Sequence, residues 1–481
     1  MTSVRGKLLA SVAAMAAIGF AGSASADQLL SGSVASASGQ KLDGVQISAK
    51  KDGSTITTSV YTDGNGDYFF PALPDGRYNV WAQTLGFDTS KGQVDLTAKR
   101  QQDFKLAAIT DPEQKIKQMP SEMLAAALPE DTEADANMKR IFHNQCTGCH
   151  TPGYPLQFKF DEAGWNKIIN LMKSVAGTGE YLGPNAKPNG IIEFNRKDLA
   201  AYLARARGPG ETSMKFQDRP RPTGEAARVV WQTYDVPLNP MTGMGARGAK
   251  YAVNDGSDWS QGTPSKLGQL PHDGAMGLDG NLYYTVNNPN PDVTLGRVDT
   301  KTGEVKYFKV DRRDGKFAAT AHGLTRDGEG NLWFDVNPGR RSLGKFDPKT
   351  EKISVYETPE PMSPLGGAVT MDVDGKGHIW ASAPDGVVSF DPKTEKFTEY
   401  SLPEYTFPYR ANFDKNGEIW ASTMSTDRVV RMDPKTGQTE QYLMPSDTNM
   451  RTVFVDDTTT PVTFWVGSNH DHRIVKVEPL D

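Results

Sequence analysis

Leu343-Gly344-Lys345-Phe346-Asp347-Pro348-Lys349-Thr350-Glu351 decides the fold of this chain, because the sequence writes it again. Its turn returns as Asp391-Pro392-Lys393-Thr394-Glu395 and Asp433-Pro434-Lys435-Thr436-Gly437, and in a looser, earlier copy as Asp299-Thr300-Lys301-Thr302-Gly303. Successive turns lie 48, 44 and 42 residues apart. An alternating strand precedes each, at 295–298, 343–346, 387–390 and 429–432, and a fifth copy stands at 474–477. Another strand follows, as at 353–356 and 397–400, and upstream lies a strand led by Tyr283, Trp333, Trp380, Trp420 or Trp465. Four short strands at this period make a propeller blade, and the strand alternation excludes stacked helical repeats. Five repeats are clear, and residues 237–270 leave room for a degenerate one, so residues 226–481 are expected to hold five to seven blades. Residues 229–236 form an outer strand with no blade before it, while the last repeat lacks an outer strand after Val477. The one is expected to complete the other, which protects two sheet edges.

His322-Gly323-Leu324-Thr325, Gly328-Glu329-Gly330-Asn331-Leu332-Trp333-Phe334 and Tyr400-Ser401-Leu402-Pro403 resemble the streptogramin (virginiamycin B) lyases. The resemblance implies elimination: a base removes a proton beside a carbonyl, and a divalent metal such as Mg²⁺ steadies the charge that develops. It also implies a site on the propeller axis built from His and Glu of neighbouring blades. This chain departs from that set. Asp335 follows Trp333-Phe334, Ala381-Ser382 follows Trp380, and Ala421-Ser422 follows Trp420, so the Glu is absent. His272 and His322 stand at blade entrances where later blades have Ala368 and Arg410, and His470 and His472 flank Asp471. The candidate catalytic set is therefore His322 or His272 as base, Asp335 as helper, and His470 and His472, each of which is more often a surface or packing residue. So few carboxylates suit Mg²⁺ poorly, since that ion takes oxygen ligands.

Residues 27–108 alternate in short strands, with turns at Asp63-Gly64-Asn65-Gly66-Asp67 and Leu73-Pro74-Asp75-Gly76-Arg77-Tyr78, which suggests a sandwich. Gly32-Ser33-Val34, Thr62-Asp63, Gly66-Asp67-Tyr68 and Gly86-Phe87 complete a pattern similar to the carboxypeptidase regulatory-like family. That resemblance implies a transthyretin-like β-sandwich without chemistry of its own, suited to recognition or docking. Asp63, Asn65 and Asp67 make an incomplete calcium loop and a good turn.

Both cysteines of the chain sit in Cys146-Thr147-Gly148-Cys149-His150, the C-x-x-C-H pattern of covalent heme c attachment. A zinc site would need a second Cys/His pair, and a redox disulfide would be expected near a βαβ unit. Neither accompanies it. Helices expected at 137–144, 162–175 and 196–205 surround the motif. With Ala201-Tyr202-Leu203 in the last, residues 134–208 resemble a small all-α cytochrome c domain. Cys146 and Cys149 are then the attachment points and His150 the proximal iron ligand. The family draws its distal ligand from the loop before the last helix, but 177–195 contains no Met or His. Met172 is the nearest sulfur and equally a core residue of its apolar stripe. His143 and an open position remain alternatives. Residues 109–133, with a short helix at 122–128, and 209–225 have linker composition.

Arg5 and Lys7, the apolar run 8–22 and Ala24-Ser25-Ala26 make residues 1–26 a signal peptide. No other apolar run is long enough to span a membrane. Export plus heme attachment points to the periplasm. The chain carries 53 basic and 59 acidic residues, a balance that removal of Arg5 and Lys7 makes more acidic and that disfavours nucleic acid as a partner. The expectation is a multidomain, mainly β protein that transfers electrons to a periplasmic redox partner. Its propeller would hold a small-molecule, carbohydrate or peptide ligand. A lyase and a non-catalytic binding protein are the alternatives.

Overall fold

The computed structural model describes residues 30–147, 150–174, 189–217, 221–236, 258, 271–287, 292–311, 318–336, 342–357, 379–383, 386–391, 393–402, 408–424, 426–445, 450–468 and 473–480. Residues 1–26, expected as a signal peptide, Cys149, Ala368, His470, His472 and most of the segment 177–195 lie outside the described residues.

The N-terminal unit is a sandwich. β1 (Leu30–Ser36), β2 (Gln46–Lys51), β3 (Ile56–Tyr61), β4 (Asp67–Phe69), β5 (Gly76–Gln83), β6 (Ser90–Leu96), β7 (Arg100–Gln101) and β8 (Phe104–Leu106) form it. β1 pairs antiparallel with β4 and parallel with β7 and β8, and the other layer runs β3-β2-β5-β6. Strict alternation in β1 buries Leu30 and Val34 against Ile47, Tyr78, Val80 and Phe104. Asp63 Oδ1 accepts the amides of Asn65 at 2.8 Å and Asp67 at 3.0 Å, so its carboxylate closes a turn.

Among the described residues six α-helices follow: α1 (Pro112–Gln118), α2 (Ser121–Ala126), α3 (Glu133–Cys146), α4 (Gly153–Leu156), α5 (Glu162–Met172) and α6 (Gly190–Arg207). α3 and α6 begin earlier than the apolar pattern predicts because Thr132 and Asn189 cap them, accepting the Asp135 amide at 3.1 Å and the Ile191 amide at 2.9 Å. The stretch with linker composition supplies Ile116, Met123, Leu124 and Leu128 to the same core as Phe142, Trp165 and Leu203. In α5, Trp165 and Ile169 are buried but Met172 is exposed, so the core-facing stripe ends one turn before the helix does.

Among the described residues, which from 237 to 270 include Asp258 alone, the repeats form five sheets. β9 (Val229–Asp235) precedes them. The first comprises β10 (Pro271–Met276), β11 (Leu282–Val286), β12 (Leu295–Val298) and β13 (Val305–Phe308), and the second β14 (Leu324–Arg326), β15 (Leu332–Val336), β16 (Ser342–Asp347) and β17 (Lys352–Glu357). The third has β18 (Ile379–Ala383), β19 (Gly386–Asp391) and β20 (Lys396–Ser401). The fourth has β21 (Pro408–Phe413), β22 (Ile419–Thr423), β23 (Arg428–Met432) and β24 (Thr439–Leu443). The fifth comprises β25 (Met450–Asp456), β26 (Thr463–Ser468) and β27 (Arg473–Pro479), completed by β9, which pairs antiparallel with β27 through Ile474↔Tyr234 and Val477↔Trp231. The innermost strands β10 and β14, β21 and β25, and β25 and β10 adjoin, and β18, which carries the aromatic lead of its sheet, adjoins β21, giving a propeller-like array.

The repeated turns explain the repeated text. Asp347 Oδ1 accepts the Lys349 amide at 2.9 Å and Oδ2 the Thr350 hydroxyl at 2.8 Å, and Asp391 and Asp433 repeat both bonds. The fifth turn position is left-handed throughout, with φ 74° at Gly303, 55° at Glu351, 54° at Glu395 and 72° at Gly437. A second device fixes the aromatic lead: Asp327 Oδ2 accepts the Trp333 indole at 2.8 Å, and Asp414 Oδ2 that of Trp420 at 3.0 Å.

The sandwich joins this array by its edge. β9 also pairs antiparallel with β3, in register Ile56↔Tyr234 to Ser59↔Trp231, so one eight-stranded sheet runs β25-β26-β27-β9-β3-β2-β5-β6. The helical unit is anchored by the Ser121 amide on Asp427 Oδ2 at 2.9 Å and by Arg428 on Glu122 at 2.6 Å.

Candidate functional site

Three innermost strands carry the same defect in the same place. Between Pro271 and Gly274 in β10, Pro408 and Ala411 in β21, and Met450 and Val453 in β25, three steps along the strand oppose two on its partner. Each bulge leaves its strand one residue too long and turns a dipeptide out of the ladder: His272-Asp273, Tyr409-Arg410 and Arg451-Thr452. In the second sheet the corresponding residue is His322, just before β14. Four sheets thus deliver side chains to one cluster.

The residue two positions after Tyr283, Trp333 and Trp420 holds this backbone. Thr285 Oγ1 accepts the Asp273 amide at 3.1 Å and donates to the His322 carbonyl of the next sheet at 2.9 Å. Ser422 Oγ donates to the Arg451 carbonyl, again one sheet on, at 2.5 Å. Asp335, at the equivalent position, accepts the amides of His322 at 2.8 Å and Gly323 at 2.6 Å on Oδ1. Asp335 was expected as a helper to the base. Its resolved bonds instead set the backbone from which His322 projects.

The two histidine rings lie against each other at a tilt of 37°, with centroids 3.7 Å apart. His272 Nδ1 lies 2.8 Å from Asp273 Oδ1 in a fully buried pair, and His322 Nε2 lies 2.9 Å from the Tyr409 hydroxyl. Burial and the neighbouring His272 bring His322 down to about 4, helped by Arg451 and Arg410 and opposed by Asp273, so its ring is neutral near pH 7. Burial raises the Tyr409 phenol, against the pull of Arg451. Burial also raises Asp335, against the amides of His322 and Gly323. Arg410 Nη1 reaches Asp273 Oδ2 at 3.3 Å, and Arg451 lies 5.6 Å over the Tyr409 ring. The arrangement can move a proton between a phenol and a neutral imidazole, and it presents two guanidinium groups.

A divalent metal does not fit here. Asp335 Oδ1 is committed to two amides, and Asp273 to His272, Arg410 and the Leu324 amide at 3.3 Å. Two guanidiniums beside them repel a dication, and among the described residues no three His, Cys, Asp or Glu side chains are grouped to hold a metal ion. Sequence reasoning brought His272 and His322 forward but passed over Asp273, Tyr409 and Arg451, and named Arg410 only as a departure. The missed signal was positional: all fall one or two positions after Pro271, Pro408 or Met450, the residues that open the bulges.

The heme motif lies at the end of α3. Cys146 ends the helix. His150 Nδ1 faces the Thr151 carbonyl at 3.3 Å. A carbonyl only accepts, so Nδ1 carries the proton and Nε2 keeps its lone pair. Burial lowers the His150 pKa, which favours the neutral, ligating ring. Asn189 to Gln145 at 2.7 Å and Lys173 to Glu193 at 2.7 Å draw the ends of α3, α5 and α6 together. Leu171, Met172, Ile191 and Phe194 are exposed on those two helix ends, Phe194 at 88%. Such apolar surface suits a porphyrin face, and the donor set fits thioether attachment with His150 as ligand.

Residues 30–108 match the family model of the carboxypeptidase regulatory-like domain. No curated protein matches the chain. Among solved structures, a streptogramin B lyase is 18% identical, covering 46% of this chain and 70% of its own, with a TM-score of 0.21. A virginiamycin B lyase from Staphylococcus aureus is 15% identical over 53% of this chain and 89% of its own, with a TM-score of 0.20. An auxiliary nutrient binding protein from Bacteroides ovatus is 12% identical over 47% and 63%, with a TM-score of 0.26. Likenesses of this size assign neither ligand nor chemistry to this chain. Among the described residues no helix is long and apolar enough to cross a membrane.

Proposed function

We propose that this chain is an exported c-type heme protein of the periplasm that passes electrons to a redox partner, while its propeller-like unit holds a ligand. The observation that carries this reading is the pentapeptide 146–150 at the end of α3, with the His150 ring held as the tautomer that leaves Nε2 to ligate. Cys146 and Cys149 would hold the porphyrin covalently and His150 would ligate its iron. The bound group would supply one-electron chemistry. The residues of the chain supply the rest: α3 delivers the first thiol, the Thr151 carbonyl orients the imidazole, and the apolar ends of α5 and α6 exclude water. Met172, exposed at the end of α5, is the proposed distal ligand. A redox titration tests the reading. A reversible one-electron wave that shifts on Met172→Ala supports it. A chain that no donor reduces contradicts it.

The neutral His322 beside Tyr409 favours a lyase as the second reading, with these side chains rather than a metal handling the proton. Ring opening of a cyclic depsipeptide that His322→Ala abolishes would establish it.

A further inference from the structure

The inner-strand cluster differs from the metal-assisted set that the lyase resemblance implies, and the difference has a direction. Where a dication would supply positive charge, the chain supplies two guanidiniums. Arg410 is the second residue of the β21 bulge and Arg451 the first of the β25 bulge, so adjoining sheets aim them by the same backbone device. Both are largely buried, Arg410 with a side chain 11% exposed and Arg451 at 7%. Both also act as positive charge at one point, since each lowers the pKa of His322 and of Tyr409. Arg451 lies 5.6 Å over the Tyr409 ring, whose hydroxyl is 2.9 Å from His322 Nε2.

We propose that this cluster binds the carboxylate group of a small molecule, with Arg451 and Arg410 as its charged anchors and Tyr409 as a hydroxyl donor. A guanidinium presents a planar fork that matches the two oxygens of a carboxylate, and in a buried setting such bonds are stronger than at the surface. The acids already present limit the ligand's charge. Asp273 and Asp335 sit within the cluster, so a singly charged carboxylate is tolerated where a doubly charged phosphate is repelled. His272 is tied to Asp273, while Arg410 already holds Asp273 Oδ2 at 3.3 Å, Arg451 Nη1 lies 3.2 Å from Met424 Sδ and the Tyr409 hydroxyl faces His322, so a ligand carboxylate would share these groups with their present partners. This inference does not depend on the heme.

The test is calorimetry on the purified full chain with sodium acetate, lactate and benzoate, with inorganic phosphate and with MgCl2 alone. At least one monocarboxylate is expected to bind and raise the unfolding temperature. Arg451→Gln is expected to weaken that binding about tenfold to a hundredfold, and Arg451→Lys, which keeps charge without the fork, by less. Circular dichroism of each variant separates lost binding from lost fold, and Arg410→Gln gives an independent second reading should Arg451→Gln fail to fold. The proposal is overturned if no monocarboxylate binds, if phosphate binds more tightly, if both arginine variants bind as the parent does, or if Mg²⁺ alone stabilises the chain. Loss of carboxylate binding with an intact redox wave would leave the electron-transfer reading standing, and the converse holds equally.

Discussion

His322 concentrates the electrostatics of the inner-strand cluster in one imidazole. Folded, it titrates at about 4; unfolded, it returns to about 6.5. Between those values the unfolded chain holds the extra proton, so stability is full above the upper value and falls as pH drops toward the lower. Denaturant unfolding from pH 7 to pH 4.5 should show that loss, and His322→Gln should flatten it. Equal slopes in both proteins would mean that His322 is not held neutral. At this scale the sequence was partly legible. Cys146, Cys149 and His150 stand out in the sequence because the heme attachment proposed for them requires fixed spacing. Tyr409, Arg410 and Arg451 do not, because the repeats keep neither residue type nor exact position there, and only the bulges show that these dipeptides leave the ladder.

The bulged innermost strand is the element that makes the cluster, and its hydroxyl anchors make it repeatable. Ser422 Oγ ties the Arg451 carbonyl of the next sheet from a fully buried position. Ser422→Ala removes that donor, and we expect a loss of about 1 kcal/mol in stability together with weaker carboxylate binding. Calorimetric unfolding and titration of the variant measure both, and unchanged values would deny the anchor its role. The strands themselves were legible from alternation, and the Asp-Pro-Lys-Thr turns from their side-chain bonds to backbone and hydroxyl. The bulges were not, because Pro271, Pro408 and Met450 open them with no common residue. Nor was the depth of residues 112–126 in the helical core. Their polar composition hides Ile116, Met123 and Leu124, which tertiary packing buries.

Across the whole molecule, two seams join what the composition divides. β3 extends the last repeat sheet through β9, and Glu122, buried in α2, meets Arg428 of β23. The first seam was illegible because Ile56-Thr57-Thr58-Ser59 pairs with residues more than a hundred and fifty positions away and carries no edge signal. The second joins two residues 306 positions apart. Arg428→Leu removes the counter-charge of a buried carboxylate, and a loss of about 3 kcal/mol is expected in a denaturant titration. A change within 0.5 kcal/mol would show that the helical unit is not held there. The proposed electron transfer would depend on a covalent porphyrin, and the most direct measurement is a pyridine hemochrome spectrum of the purified protein after acidic organic extraction. The account predicts a c-type spectrum that stays with the protein and is lost in Cys146→Ser/Cys149→Ser. Colourless protein with two titratable thiols, or a chromophore that extracts, would contradict it.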